Sequence, residues 1–202
     1  MTKVDAKKGF TLIELLIVIG ILAILATVTL LVLNPAQMFA QARDSQRISD
    51  LNTIKSAIAL YTSTVTTPYL DDASGAECTA GRLWGTIAST TVFTNAHASF
   101  RGGPATTTVG INGWVPVALA DTAGGSPISS LPLDPTSPSA TTFSNTNVIY
   151  AYFYTCSTTG MVFELDANLE STRYSQGGTD DKESSDGGNK AFMYETGSAL
   201  NL

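Results

Sequence analysis

Apolar positions fall along this chain in two regimes. From Phe10 to Leu33 they are almost continuous; beyond Pro35 they thin to a helical stripe and then to short alternating runs. The first regime carries no charge from Leu15 onward, and its only small apolar residues are Gly20, Ala23 and Ala26. Roughly 24 residues at ~1.5 Å each give about 36 Å of helix, enough to cross a ~30 Å hydrocarbon core. Glu14 breaks the pattern. A carboxylate near one end of a membrane span is costly, marks a function and calls for a named partner.

Asn34-Pro35 follows the span, and a proline removes a backbone donor and disfavours helix at the residue before it. A kink or short break is expected there. Helix then resumes from Ala36 to about Ser63, where Ile48, Leu51, Ile54, Ile58 and Tyr61 recur at steps of three and four to form one apolar stripe. Arg43, Asp44, Arg47, Asp50 and Lys55 place charges of both signs on the same helix. They read as a solvated mixed-charge face, with bridging between subunits by Arg43, Arg47 and Asp50 as the alternative.

Pro68 closes the helical region, and the chain to Ala80 is loop-like. Beyond it, β-branched and apolar runs alternate with turn clusters, which predicts strands of an antiparallel sheet. The candidates are 83–88, 91–94, 114–119, 148–155, 161–166 and 191–194. The clearest pair is Val148 to Thr155 with Met161 to Leu165, joined by a hairpin loop at Ser157 to Gly160. The expected fold class is α+β, with a long N-terminal helix packed on a small antiparallel sheet. Its parts are a leader at 1–9, a transmembrane or filament-core helix at 10–33, an amphipathic continuation at 34–63 and a β-rich head at 64–202.

Charge orients the span. Lys3, Lys7 and Lys8 precede it, which places that end in the cytoplasm and the head outside. The formal net charge is −6, and the chain beyond residue 9 is more acidic still. Direct nucleic-acid binding is not expected, because it relies on Lys and Arg neutralising phosphates. Cys78 and Cys156 are the only cysteines. In an externally exposed domain they are expected to form a disulfide, with two separate buried thiols as the alternative. Together with the lone His97 they are too few and too scattered for a structural zinc site.

Catalytic constellations are missing from the sequence. Nucleophilic hydrolysis needs a base beside its nucleophile, and His97 stands alone in a polar stretch. No Gly-Lys phosphate loop or dinucleotide fingerprint is present. Asp71-Asp72 and Asp180-Asp181 read as solvated charge. The chain is therefore expected not to be an enzyme. The segment from Tyr174 to Lys190 gathers glycines with Asp180, Asp181, Asp186 and Asn189, oxygen ligands of the type a hard cation such as calcium takes. A flexible acidic loop is the alternative, since the spacing is not that of an EF-hand.

The run Lys7-Lys8-Gly9-Phe10-Thr11-Leu12-Ile13-Glu14, leading into the apolar segment, resembles the class III signal of type IV pilins and pseudopilins. A secretory signal peptide has a shorter core, of ~7–15 residues, and a small-residue cleavage site that is not found here. An ordinary anchor accounts for the length but not for Glu14 or for Gly9 before Phe10. The resemblance implies a prepilin peptidase that cuts between Gly9 and Phe10 and methylates the new amine of Phe10. It also implies that Glu14 neutralises the N-terminal amine of a neighbouring subunit in a filament.

The expected partners are thus copies of the same chain, the peptidase and an inner-membrane assembly machinery. The expected location is the inner membrane with an extracytoplasmic head, then an extracellular pilus or pseudopilus. Major pseudopilins of type II secretion or DNA-uptake systems share the anchor and bind calcium in a C-terminal loop. Leu131-Pro132-Leu133-Asp134-Pro135 is similar to a proline loop that precedes the central strands in those proteins, though the residues themselves show only a rigid turn. A membrane-anchored binding domain that never polymerises is the reading from another class.

Overall fold

The computed structural model describes residues 9–71, 76–79, 82–86, 99–102, 107–136 and 150–202. The chain divides into two compact units, Met1–Phe39 and Ala40–Leu202. In the first, helix α1 spans Leu12–Leu33, which at ~1.5 Å per residue is about 33 Å long. Thr11 caps it in extended backbone, and Asn34 ends it in the left-handed conformation, with φ at 38°. An asparagine tolerates that conformation where most residues resist it. Pro35 then opens helix α2, Pro35–Thr64, at the first helical position, where its missing N–H costs nothing. The expected break thus falls at Asn34.

In the second unit, α2 buries Ala40, Asp44, Arg47, Leu51, Ile54, Ala57, Ile58 and Tyr61. Leaving Ala57 aside, the steps are alternately four and three, so these residues form one straight stripe along the helix. Leu51, Ile54, Ala57, Ile58 and Tyr61 meet Trp84, Tyr152, Tyr154, Cys156, Phe163, Leu165 and Ala167 in one core cluster. Each large side chain buried this way adds about 1.5–3 kcal/mol relative to exposure.

Among the described residues the sheet has five strands in the order β2-β1-β3-β4-β5: β1 Arg82–Gly85, β2 Ser99–Gly102, β3 Tyr152–Ser157, β4 Val162–Ala167 and β5 Tyr194–Gly197. A short helix α3, Ala76–Thr79, precedes β1. Four of the strands, β1 and β3 to β5, pair antiparallel, as expected. Edge strand β2 departs from the expectation, lying parallel to β1 with Arg82 opposite Ser99 and Gly85 opposite Gly102. The hairpin β3-β4 turns at Gly160 and Met161, both at positive φ. Glycine takes that conformation without a side-chain clash, so the turn is placed by Gly160.

Two further strand expectations change. Trp114 to Leu119 is not a strand; it is irregular chain running into a 3₁₀ turn, Leu119–Asp121. Pro116 lies inside the run and cannot donate to a ladder, which is the physical reason. Trp114, Val115, Val117 and Leu119 are nonetheless fully buried, and the indole N–H of Trp114 donates to the Pro132 carbonyl at 3.0 Å. The last strand begins at Tyr194, where the expected one ended. Residues 87, 88, 91–94, 148 and 149 lie outside the described residues, as do His97 and the leader to Lys8.

Alternation along β4 separates two faces. Phe163, Leu165 and Ala167 join the core with α2, whereas Glu164 and Asp166 point to the opposite face with Glu195 of β5. All three acids are buried. The segment around Lys190 covers them, and the chain after β5 lies back along β4, with Ser198 N–H donating to Phe163 O at 2.9 Å.

Candidate functional site

The sequence-predicted processing residues sit at the start of α1. Gly9 and Phe10 precede the cap and are exposed, Phe10 at 86 %. Thr11 and Glu14 close a reciprocal capping box. The Glu14 N–H donates to the Thr11 hydroxyl at 3.3 Å, and Glu14 Oε2 accepts from the Thr11 N–H at 2.9 Å and from its hydroxyl at 2.8 Å. Two otherwise unpaired groups at the helix start are satisfied in this way. The carboxylate is thereby held beside the N-terminal end of the helix, four positions from Phe10. No other acid or base occurs along α1.

The rest of α1 offers apolar surface and nothing else. Leu12, Ile17, Leu22, Leu25, Leu30 and Leu33 are each more than half exposed. Its threonines turn inward on the backbone, Thr27 to the Ala23 carbonyl at 2.8 Å and Thr29 to that of Ala26 at 2.9 Å. Hydroxyls satisfied locally in this way add no polarity that lipid or a packed neighbour would have to match. The helix is long and apolar enough to cross a membrane.

Cys78 and Cys156 are joined by a disulfide, tying α3 to β3 across 78 positions of sequence. Closing a loop of that length restricts the unfolded chain by about 4 kcal/mol in the chain-entropy account. Replacing Cys156 by Ala is expected to lower unfolding stability by about 2–5 kcal/mol. Urea titration of wild type and variant, each with and without reductant, checks this: the reductant should affect the wild type only.

The mixed charges of α2 do not form the solvated face expected of them. Asp44 and Arg47 are fully buried. Arg47 donates through Nε and Nη2 to Asp134 at 2.7 and 3.0 Å, through Nη1 to Asp44 at 2.7 Å and through Nη2 to the Thr136 hydroxyl at 2.9 Å. Asp44 also accepts the N–H groups of Glu170 and Ser171, both at 2.8 Å. Burial pushes the Asp134 carboxyl up, but bonds from Arg47 and Thr136 outweigh it and hold the group below its ordinary value. Arg43 pairs with Glu170, and Asp50 accepts from the Tyr152 hydroxyl at 2.8 Å. The Leu131–Pro135 turn is thus where Arg47 finds its main partner, 87 positions away in sequence.

Three of the four candidate cation ligands, Asp180, Asp181 and Asp186, have partners within the protein. Asp180 pairs with Lys182 at 2.7 Å. Asp181 accepts from the Ser184 hydroxyl and N–H and from the Gly177 N–H, which pull its carboxyl down to about 2. Asp186 accepts from the N–H groups of Gly188 at 2.9 Å and Glu195 at 2.6 Å. A different trio gathers under the sheet: Glu164, Asp166 and Glu195 bring one oxygen each within 4.8 Å of one another. Sequence reasoning passed over them because alternate acids on a strand look like a solvent face. The Lys190 ammonium already sits among them. It contacts Glu164 Oε1, and lies 3.3 Å from Glu195 Oε1 and 3.6 Å from Asp166 Oδ2.

Comparison with known proteins is informative only at the N-terminus. No curated protein and no solved structure matches the chain. Residues 5–30 match the family model described as the prokaryotic N-terminal methylation motif. That stretch takes in Gly9, Phe10, Glu14 and most of α1, so this chain carries the class III signal peptide of type IV pilins and pseudopilins.

Proposed function

We propose that this chain is a prepilin, the structural subunit of a type IV pilus-like filament. The leader is removed after Gly9, the amine of Phe10 is methylated, and subunits assemble by packing their apolar helices. The observation that carries the reading is the methylation motif running into a membrane-length helix whose sole ionisable side chain is Glu14. Before assembly, lipid covers that helix; within a filament, the helices of other copies replace lipid. In both settings Glu14 would be desolvated, and a carboxylate in such surroundings needs a cation. The free amine of Phe10 on an adjacent subunit supplies one, and cleavage after Gly9 creates it.

Mass spectrometry of the purified N-terminus tests this reading. Methyl-phenylalanine is the expected first residue, and a chain still beginning at Met1 would exclude it, leaving a non-polymerising membrane-anchored domain. Replacing Gly9 by Leu should abolish cleavage, because a bulky side chain then occupies the position before the cut bond. Immunoblotting would show only the longer precursor, and product of mature size would refute the site. Electron microscopy of sheared surface material distinguishes a long pilus from the short pseudopilus of a secretion or DNA-uptake system.

A further inference from the structure

The cluster under the sheet combines a primary amine with three carboxyl groups, all withdrawn from water. Glu164 is fully buried and Asp166 and Glu195 nearly so. Lys190 Nζ touches Glu164, and the other Glu164 oxygen accepts the Leu202 N–H at 2.8 Å. Glu195 is pinned by the Lys190 N–H at 2.8 Å, and a Cβ at Gly188 would collide with its carboxylate. The cradle therefore closes on one geometry. Asp166 contributes a buried Oδ1 that has no hydrogen-bond partner among the described residues.

We propose that Lys190 and Glu164 are joined by an isopeptide bond, formed by the folded head on its own side chains. Glu195 takes one proton from the Lys190 ammonium, leaving a neutral amine. Asp166 passes its proton to Glu164, whose oxygen lies within 4.8 Å of its own, so that Glu164 becomes an uncharged acid. Nζ then attacks Cδ of Glu164; the new C–N bond forms as the carbonyl π pair moves onto oxygen, where the Leu202 N–H steadies it. Asp166 takes the nitrogen's surplus proton and returns it to the departing hydroxyl, which leaves as water. The products are an amide, one water, neutral Glu195 and ionised Asp166, so protons and charge balance without an oxidant or any other co-reactant.

Burial acts on the acids in the direction these roles need, while at Lys190 it is outweighed by the surrounding carboxylates, which hold the ammonium above its ordinary value and make its deprotonation the uphill step. Burial pushes the Asp166 carboxyl well above the usual range, against the pull of the Lys190 ammonium and with the Glu164 and Glu195 carboxylates adding to the rise. Burial likewise raises Glu195, which improves it as a base. Amide condensation is unfavourable between free groups in water, but fixed neighbours reach effective molarities of ~10⁵–10⁸ M. The reaction also exchanges a buried ion pair, expensive to desolvate, for a neutral amide. The bond would tie β4 to the chain just before β5, as the disulfide ties β3 to α3.

Mass spectrometry of the purified full chain, denatured and reduced, tests this independently of the filament reading. The expected mass is one water below that of the processed sequence, and proteolysis should yield a branched peptide joining Lys190 to Glu164. Separate peptides carrying unmodified Glu164 and Lys190 would overturn the proposal, as would a branch from Lys190 to Asp166 or Glu195. Lys190→Arg keeps the charge and should restore the full mass; loss of water persisting in that variant would also count against the bond. Asp166→Asn should leave most of the chain unlinked, and complete linkage in it would remove Asp166 from the proton transfers. The wild-type peptide map decides the matter even where a variant folds poorly.

Discussion

Glu14→Ala should be cut and methylated like the wild type yet form no filaments. The capping box shows why the two steps separate. Thr11 still caps α1 without Glu14, so the helix start presented to the peptidase changes little. Assembly is different. The charge on each incoming amine then has no carboxylate to meet, and a cation enclosed among apolar helices without one is strongly disfavoured. Filament yield should fall by roughly a hundredfold or more, since the loss recurs at every subunit contact. Immunoblotting for mature size and electron microscopy for filaments read the two outcomes separately. Wild-type filament yield would sink the pairing of Glu14 with a neighbour's amine, while precursor alone would show that Glu14 serves cleavage instead.

Arg47→Ala should be the most damaging single change in the head. It strands Asp134 and Asp44, both buried, and Asp44 keeps only its two backbone donors from Glu170 and Ser171. Removing one member of a buried ionic network costs about 3–5 kcal/mol, a large part of the stability of an ordinary domain. Urea unfolding of the full chain in detergent, followed by near-ultraviolet dichroism of Trp84 and Trp114, would show it. Pairing Arg47→Met with Asp134→Leu should recover part of the loss, because apolar replacement of the whole pair leaves less charge unmatched. A single variant as stable as wild type would mean that water reaches this network.

The same pair sets an acid limit in the wild type. The folded Asp134 carboxyl lies below its ordinary value, so its contribution is complete above about pH 4, the unfolded range, and is lost as pH falls through the lower folded value. Arg47→Ala should remove that part of the acid sensitivity along with the stability.

Local pattern determined a good deal about this protein. The apolar run was legible as a helix of membrane length, because a lone segment in lipid must pair its own backbone; the helix itself begins at Leu12, after the Thr11 cap, rather than at Phe10. Glu14 and Gly9 were legible as singular positions, the steps of three and four predicted the core face of α2 except at Ile48, which is only half-buried, and two apolar, β-branched runs around a short turn marked the β3-β4 hairpin. The break at Asn34 followed from Pro35. Even the failure at Trp114 to Leu119 had a signal in Pro116, which argues against a central strand whatever surrounds it.

Tertiary structure alone decided which charges leave water. Asp44 and Arg47 occupy core positions in the α2 stripe, but their partner Asp134 stands 87 positions beyond Arg47, and nothing local announces it. Along β4 alternation sets Glu164 and Asp166 on the face away from α2, and only the returning chain around Lys190 covers that face. The parallel pairing of β2 depends in the same way on where a distant segment comes to lie. Periodicity states which side of an element a residue takes; what packs against that side, and so whether an acid there is solvated or enclosed, is set by contacts between remote parts of the chain.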